Sequence, residues 1–104
     1  MTQSEHGILV NDILREFGSR PDIRLWKQAT GAARTKTGAV LKFGIKGQAD
    51  ISGITDTGQR IEIECKTGKG RLSKEQKRWR AMIEKFGGVY VLARSVEDVE
   101  REIG

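Results

Sequence analysis

Apolar and charged residues alternate from Arg60 to Lys66, which is the period-2 pattern of a strand with one face in a core. Ile61, Ile63 and Cys65 are expected on the core face, and Glu62, Glu64 and Lys66 on the face turned away from it. Residues 49–54 form the strand before it. Between the two, Thr55-Asp56-Thr57-Gly58-Gln59 places Asp and Gly where a hairpin turn needs them, so the strands should be antiparallel neighbours. Counting back from that turn brings Asp50 to about the level of Glu64 and Lys66.

The remaining elements follow from helical spacing and punctuation. A first helix begins near Ser4 with Ile8, Leu9, Ile13 and Phe17 on one face, and Gly18-Ser19-Arg20-Pro21 stops it. Residues 22–27 alternate and read as a strand. Residues 28–46 are polar and glycine-rich around Val40-Leu41-Lys42-Phe43, and read as a loose basic loop. Thr67-Gly68-Lys69-Gly70-Arg71 is a flexible basic turn into a second helix, where Ser73 and Gln76 form a capping-box pattern. Leu72, Gln76, Trp79, Ile83 and Phe86 share the inward face of that helix, flanked by Met82, with Trp79 expected in the core. Gly87-Gly88 ends it, residues 89–93 form a buried strand, and Ser95 caps a short acidic last helix. The order is that of an α/β fold: a helix, a mixed sheet, a helix crossing over, a further strand and a terminal helix.

A chain of 104 residues with 32% charged residues suits one ordinary globular domain, here 1–104, able to form a core without staples. One cysteine and one histidine allow neither an internal disulfide nor the usual zinc site. No apolar run is long enough to span a membrane and the N-terminus lacks a signal-peptide pattern, so no membrane partner and a cytoplasmic location are expected. The net charge of +5 is unevenly spread. From Lys66 to Lys85 eight basic residues face only Glu75 and Glu84, whereas the last eleven residues hold two arginines against four acids. A positive surplus beside a carboxylate cluster fits a phosphodiester substrate, although charge runs of this kind are commonly just solvated helix faces.

The chemistry sits in that cluster. Glu64 and Lys66, two apart on one strand face, lie roughly 7 Å apart along the chain and can serve one site without touching. Asp50 and Glu64 together offer oxygen ligands to a hard divalent ion such as Mg²⁺. Lys66 can orient or polarise an attacking water.

Asp50 followed after a hairpin by Glu64-Cys65-Lys66 resembles the PD-(D/E)XK nuclease signature. With Gly47 three residues before Asp50, and Thr67-Gly68-Lys69 and Leu72-Ser73-Lys74-Glu75-Gln76 downstream, the chain from Ser4 to Ser95 is similar to the VRR-NUC branch, the virus-type replication and repair nucleases. Ala49 stands where that family usually has proline, a change of backbone rather than of chemistry. The resemblance implies a restriction-endonuclease-like core with a mixed central sheet flanked by helices, and an Mg²⁺- or Mn²⁺-dependent endodeoxyribonuclease. It implies metal binding by Asp50, Glu64 and the main-chain carbonyl of Cys65, with Lys66 at the attacking water. The Cys65 thiol, on the buried side, has no role.

Two further residues have two readings each. Gln76 either only caps its helix or points into the active site as the family glutamine does, and its inward position favours the site. Glu5 is either the first-helix acid that relatives contribute, with Glu16 as a weaker substitute, or a first-turn acid meeting the helix dipole. His6 reads as a surface or DNA-proximal residue. Arg34, Lys36, Lys42, Lys46, Lys69, Arg71 and Lys74 are the expected DNA contacts. Such contacts hold phosphates without reading sequence, so structure-selective cutting is expected. By resemblance to stand-alone, often phage-encoded relatives, the expected activity is homodimeric Holliday junction resolution in recombination or repair, with exchange between protomers at residues 28–46. The alternatives are a flap- or single-strand-directed nuclease, a non-catalytic DNA-binding module on the same fold, and a basic protein–protein adaptor.

Overall fold

Ser4 opens the N-terminal helix in the computed structural model, which describes residues 4–104. Its hydroxyl accepts a hydrogen bond from the Gly7 amide and so satisfies one donor that the first turn leaves free. Helix α1 (Glu5–Phe17) buries Leu9, Val10, Ile13 and Phe17. The strands in chain order are β1 (Ile23–Lys27), β2 (Gly31–Arg34), β3 (Val40–Phe43), β4 (Ile51–Thr55), β5 (Arg60–Cys65) and β6 (Val89–Ala93). Helix α2 (Lys74–Lys85) lies between β5 and β6, and α3 (Val96–Ile103) closes the described chain.

The main sheet has the order β1-β4-β5-β6. Its first two pairings are antiparallel and β5–β6 is parallel, so this is a mixed sheet flanked by helices, as expected. A parallel pair needs a crossover, and α2 is that crossover. The β4–β5 turn is tied by the Thr55 amide to the Gln59 carbonyl, with Gly58 at φ +88°. The alternation expected in β5 holds, and Ile61, Ile63 and Cys65 pack with α1 and α3 in the main apolar cluster.

The opposite face carries Glu62 and Glu64 as expected, but it is covered as well: they are 0% and 3% exposed. The crossover helix covers this face, because a parallel connection lays its helix on the sheet. Here Ala49, Ile83 and Tyr90 form a second, smaller cluster with Leu72, Trp79 and Met82. Trp79, expected in the core, is half-buried and donates its Nε1 proton to Glu62 Oε1 at 2.6 Å. Arg60 Nε donates to the other oxygen of the same carboxylate at 3.2 Å.

Two other expectations are corrected. Phe86 is 76% exposed: α2 ends at Lys85, and the cap geometry at Phe86, followed by Gly87 at φ +85°, turns the chain off the inward face. Residues 28–46 are not a loose loop, since β2 and β3 pair as an antiparallel hairpin apart from the main sheet. Both strands are exposed throughout, with Val40, Leu41 and Phe43 on the surface and Ile45 just beyond. Thr35 closes the hairpin turn: its amide donates to the Ala39 carbonyl, its carbonyl accepts the Gly38 amide, and its hydroxyl accepts the Ala39 amide. No helix is long and apolar enough to cross a membrane among the described residues.

Candidate active site

The β4–β5 register pairs Ile51 with Ile63, so one step further places Asp50 opposite Glu64 on the face beneath α2. Gly47 explains how the chain reaches that position. At φ +93°, its backbone passes so close to α2 that a Cβ would meet the Glu75 carbonyl oxygen at 2.5 Å. Only glycine combines that conformation with that approach. Asp50 Oδ2 accepts the Cys65 amide at 2.9 Å, which anchors the carboxylate to the end of β5. In a strand the N–H and C=O of one residue share a side. The Cys65 carbonyl therefore also faces the Asp50 side.

Glu64 is held by two partners on one oxygen. Gln76 Nε2 donates to Glu64 Oε2 at 3.0 Å, and Lys66 Nζ lies 3.6 Å from the same atom. Glu64 and Lys66 therefore do touch, against the expectation of two separate groups, because the lysine bends back along its own strand. The two roles weighed for Gln76 coexist. Its Oε1 accepts the Ser73 amide in a complete capping box while its Nε2 reaches Glu64.

The remaining oxygen, Glu64 Oε1, is buried with no hydrogen-bond partner. Burial above all, and then the charge of Asp50, raises the Glu64 carboxyl to about 7 against the opposing pull of Lys66. The Cys65 thiol is pushed up to about 12 by burial and by Asp50 and Glu64, so it stays protonated and inert.

Helix α1 also reaches the site, through a different residue from the one anticipated. His6 Nε2 lies 3.0 Å from Asp50 Oδ2. Among the described residues Glu5 and Glu16 are exposed and make no side-chain hydrogen bond or ion pair. His6 and Asp50 are 44 positions apart, and no local pattern connects them.

A second contributor missed in the sequence is Arg94, just after β6. It donates to the carbonyls of Gly68 and Gly70 at 3.0 and 2.7 Å, fixing the loop that carries Lys69 and Arg71. That loop, Lys74 at the start of α2, and Lys46 paired with Glu75 at 3.6 Å lie around Lys66 and the first turn of α2. Arg34, Lys36 and Lys42 belong instead to the hairpin. Among the described residues none of Arg34, Lys36, Lys42, Lys69, Arg71 and Lys74 forms an ion pair, so their charges are free for an external anion.

Two adjacent carboxylates, an orphaned buried carboxylate oxygen and a main-chain carbonyl on the same side fit a hard cation that keeps some of its waters. Among the described residues, however, no three His, Cys, Asp or Glu side chains are already grouped around one point as a metal site. No protein-family model matches the sequence, and no curated protein matches it. The fold and site thus define an α/β domain with a mixed sheet whose acids and lysine gather where β4 begins and β5 ends.

Proposed function

We propose that this domain is a PD-(D/E)XK-type nuclease of the VRR-NUC branch that hydrolyses phosphodiesters in branched DNA. The observation that carries this reading is the convergence of Asp50, Glu64 and Lys66, with Lys66 Nζ 3.6 Å from Glu64 and Asp50 opposite it in register. Asp50, Glu64 and the Cys65 carbonyl would hold Mg²⁺ or Mn²⁺, which supplies positive charge beside the scissile phosphate and acidifies water. Gln76 keeps one Glu64 oxygen fixed, and the other, without a hydrogen-bond partner, would be a cation ligand. Lys66 positions the attacking water and neutralises charge that develops on the phosphate as the water oxygen bonds to phosphorus and the ester oxygen leaves. The loop held by Arg94 presents Lys69 and Arg71 to the flanking phosphates, and Arg34, Lys36 and Lys42 on the hairpin extend the contact.

The preferred substrate is a four-way junction cut by a homodimer. The hairpin supports the dimer, because Val40, Leu41, Phe43 and Ile45 are exposed together on one short element. A non-catalytic DNA-binding module is the second reading, favoured by the lack of a preassembled three-ligand group among the described residues.

The test is cleavage of labelled four-way junction, flap, single strand and duplex with Mg²⁺, Mn²⁺ or chelator, by wild type and Asp50→Asn. Paired symmetric cuts in the junction that need metal and Asp50 are expected. Cutting of flaps or single strands alone replaces the substrate. Tight binding with no metal-dependent cutting of any DNA leaves the non-catalytic module.

A further inference from the structure

We propose that His6 is a nitrogen ligand of the same cation centre as Asp50 and Glu64, and that it shifts the centre's preference from Mg²⁺ toward Mn²⁺. This rests on the metal-dependent site proposed above and names a donor that the acid-based reading of α1 leaves out. His6 Nε2 stands 3.0 Å from Asp50 Oδ2. Neighbouring donors about 2.1 Å from an octahedral ion are themselves about 3.0 Å apart. The observed spacing is that of a hydrogen bond, and it is also short enough for both atoms to reach one such ion.

The placement is held from both sides. His6 lies in the first turn of α1, which the Ser4 cap starts and buried Leu9 and Val10 fasten to the core. Asp50 is fixed by the Cys65 amide. One proton bridges the two atoms in a hydrogen bond whose donor depends on the ring tautomer. A divalent ion between the two groups replaces that proton and takes the nitrogen lone pair.

Imidazole is a softer donor than carboxylate or water; Mg²⁺ takes oxygen almost exclusively, whereas a first-row transition ion such as Mn²⁺ tolerates a nitrogen ligand better than Mg²⁺ does. The side chain is 46% exposed, so the ring can turn from the hydrogen bond to coordination without disturbing the core. Glu5, one residue earlier on the exposed surface, makes no such contact among the described residues.

The test uses the full-length chain without a histidine tag. The sequence contains one histidine, so imidazole nitrogen coupling in pulsed EPR of bound Mn²⁺ can arise only from His6. Wild type is expected to show that coupling. His6→Ala should lose it and bind Mn²⁺ about tenfold more weakly or worse, with a smaller change for Mg²⁺. His6→Asp should recover binding without the nitrogen signal and with the preference moved to Mg²⁺. The melting temperature of each variant reports that the fold is retained.

Mn²⁺ binding that needs Asp50 but shows no nitrogen coupling and ignores His6→Ala overturns the ligand role and leaves the metal site standing. No Mn²⁺ binding by wild type, with or without DNA, overturns both.

Discussion

The two faces of the main sheet are built from the same strands and are opposite in character. Under α1 and α3 the side chains of Ile51, Ile61, Ile63, Cys65, Val91 and Ala93 meet Leu9, Ile13, Phe17 and Val99 in an apolar layer. Under α2 the same strands present Ser52, Glu62, Glu64 and Tyr90, all buried. Ser52 Oγ, Glu64 Oε1 and Tyr90 Oη have no hydrogen-bond partner there. Ser52, Glu62 and Tyr90 form one row across three strands, with Asp50 and Glu64 the next pair on the same face. The apolar layer stabilises the fold, whereas each buried polar group left unpaired costs about 1–3 kcal/mol. A face that opposes folding in this way is where a functional site is expected.

Substitutions on the two faces should therefore separate stability from activity. The largest expected stability loss is on the apolar side. Ile63→Ala, measured by denaturant unfolding, should lower stability by about 2–5 kcal/mol while each folded molecule keeps its cleavage rate. Lys66→Ala should fall mainly on activity, reducing the rate of DNA cleavage by about 10²–10³-fold, with a smaller loss of stability because buried Glu64 loses its cation partner. An equal loss of stability in both variants would erase the distinction between the faces.

Trp79→Phe probes the polar layer away from the site. It removes the donor to Glu62 and leaves that carboxylate with Arg60 alone, so unfolding free energy should drop by about 1–3 kcal/mol. Leu41→Lys on the hairpin has the smallest expected effect on protomer stability, within about 0.5 kcal/mol, because the residue is exposed. For the proposed homodimer its consequence should be dissociation in analytical ultracentrifugation. An unchanged sedimentation profile would remove the hairpin from the subunit interface.

The contrast also explains which features were legible in the sequence. The apolar positions of β5, and Leu9, Ile13 and Phe17 of α1, follow their periods and are buried because a water-excluding core selects residues by period, whereas Ile8, expected on the same helix face, is exposed and Val10 is buried instead. The same alternation placed Glu62 and Glu64 on the other face without revealing their burial, since nothing local says that a crossover helix will cover them. The capping box at Ser73 and Gln76 was readable, but the same glutamine's bond to Glu64 depends on how α2 lies across the sheet. The β2–β3 hairpin was missed because Gly31, Ala32 and Ala33 carry little strand preference and bury no face. His6 and Arg94 reach their partners across 44 and 24–26 residues, and such contacts exist only once the chain has folded.

On the polar face, Glu64 is a carboxylate whose ionisation works against folding and, in the proposed site, serves a cation. Glu64 in the folded protein titrates at about 7, against an ordinary 4.5, so the folded state binds that proton more tightly than the unfolded chain does. The resulting penalty is absent below pH 4.5, builds between 4.5 and about 7, and is complete above.

The most direct measurement is thermal unfolding of wild type and Glu64→Gln at pH 8, each with and without Mn²⁺. Without metal the Gln variant should melt higher, and the gap should close as the pH is lowered toward 4.5. With Mn²⁺ wild type should rise while the variant stays put. A variant that melts below wild type without metal, or a wild type that ignores Mn²⁺, would contradict the claim.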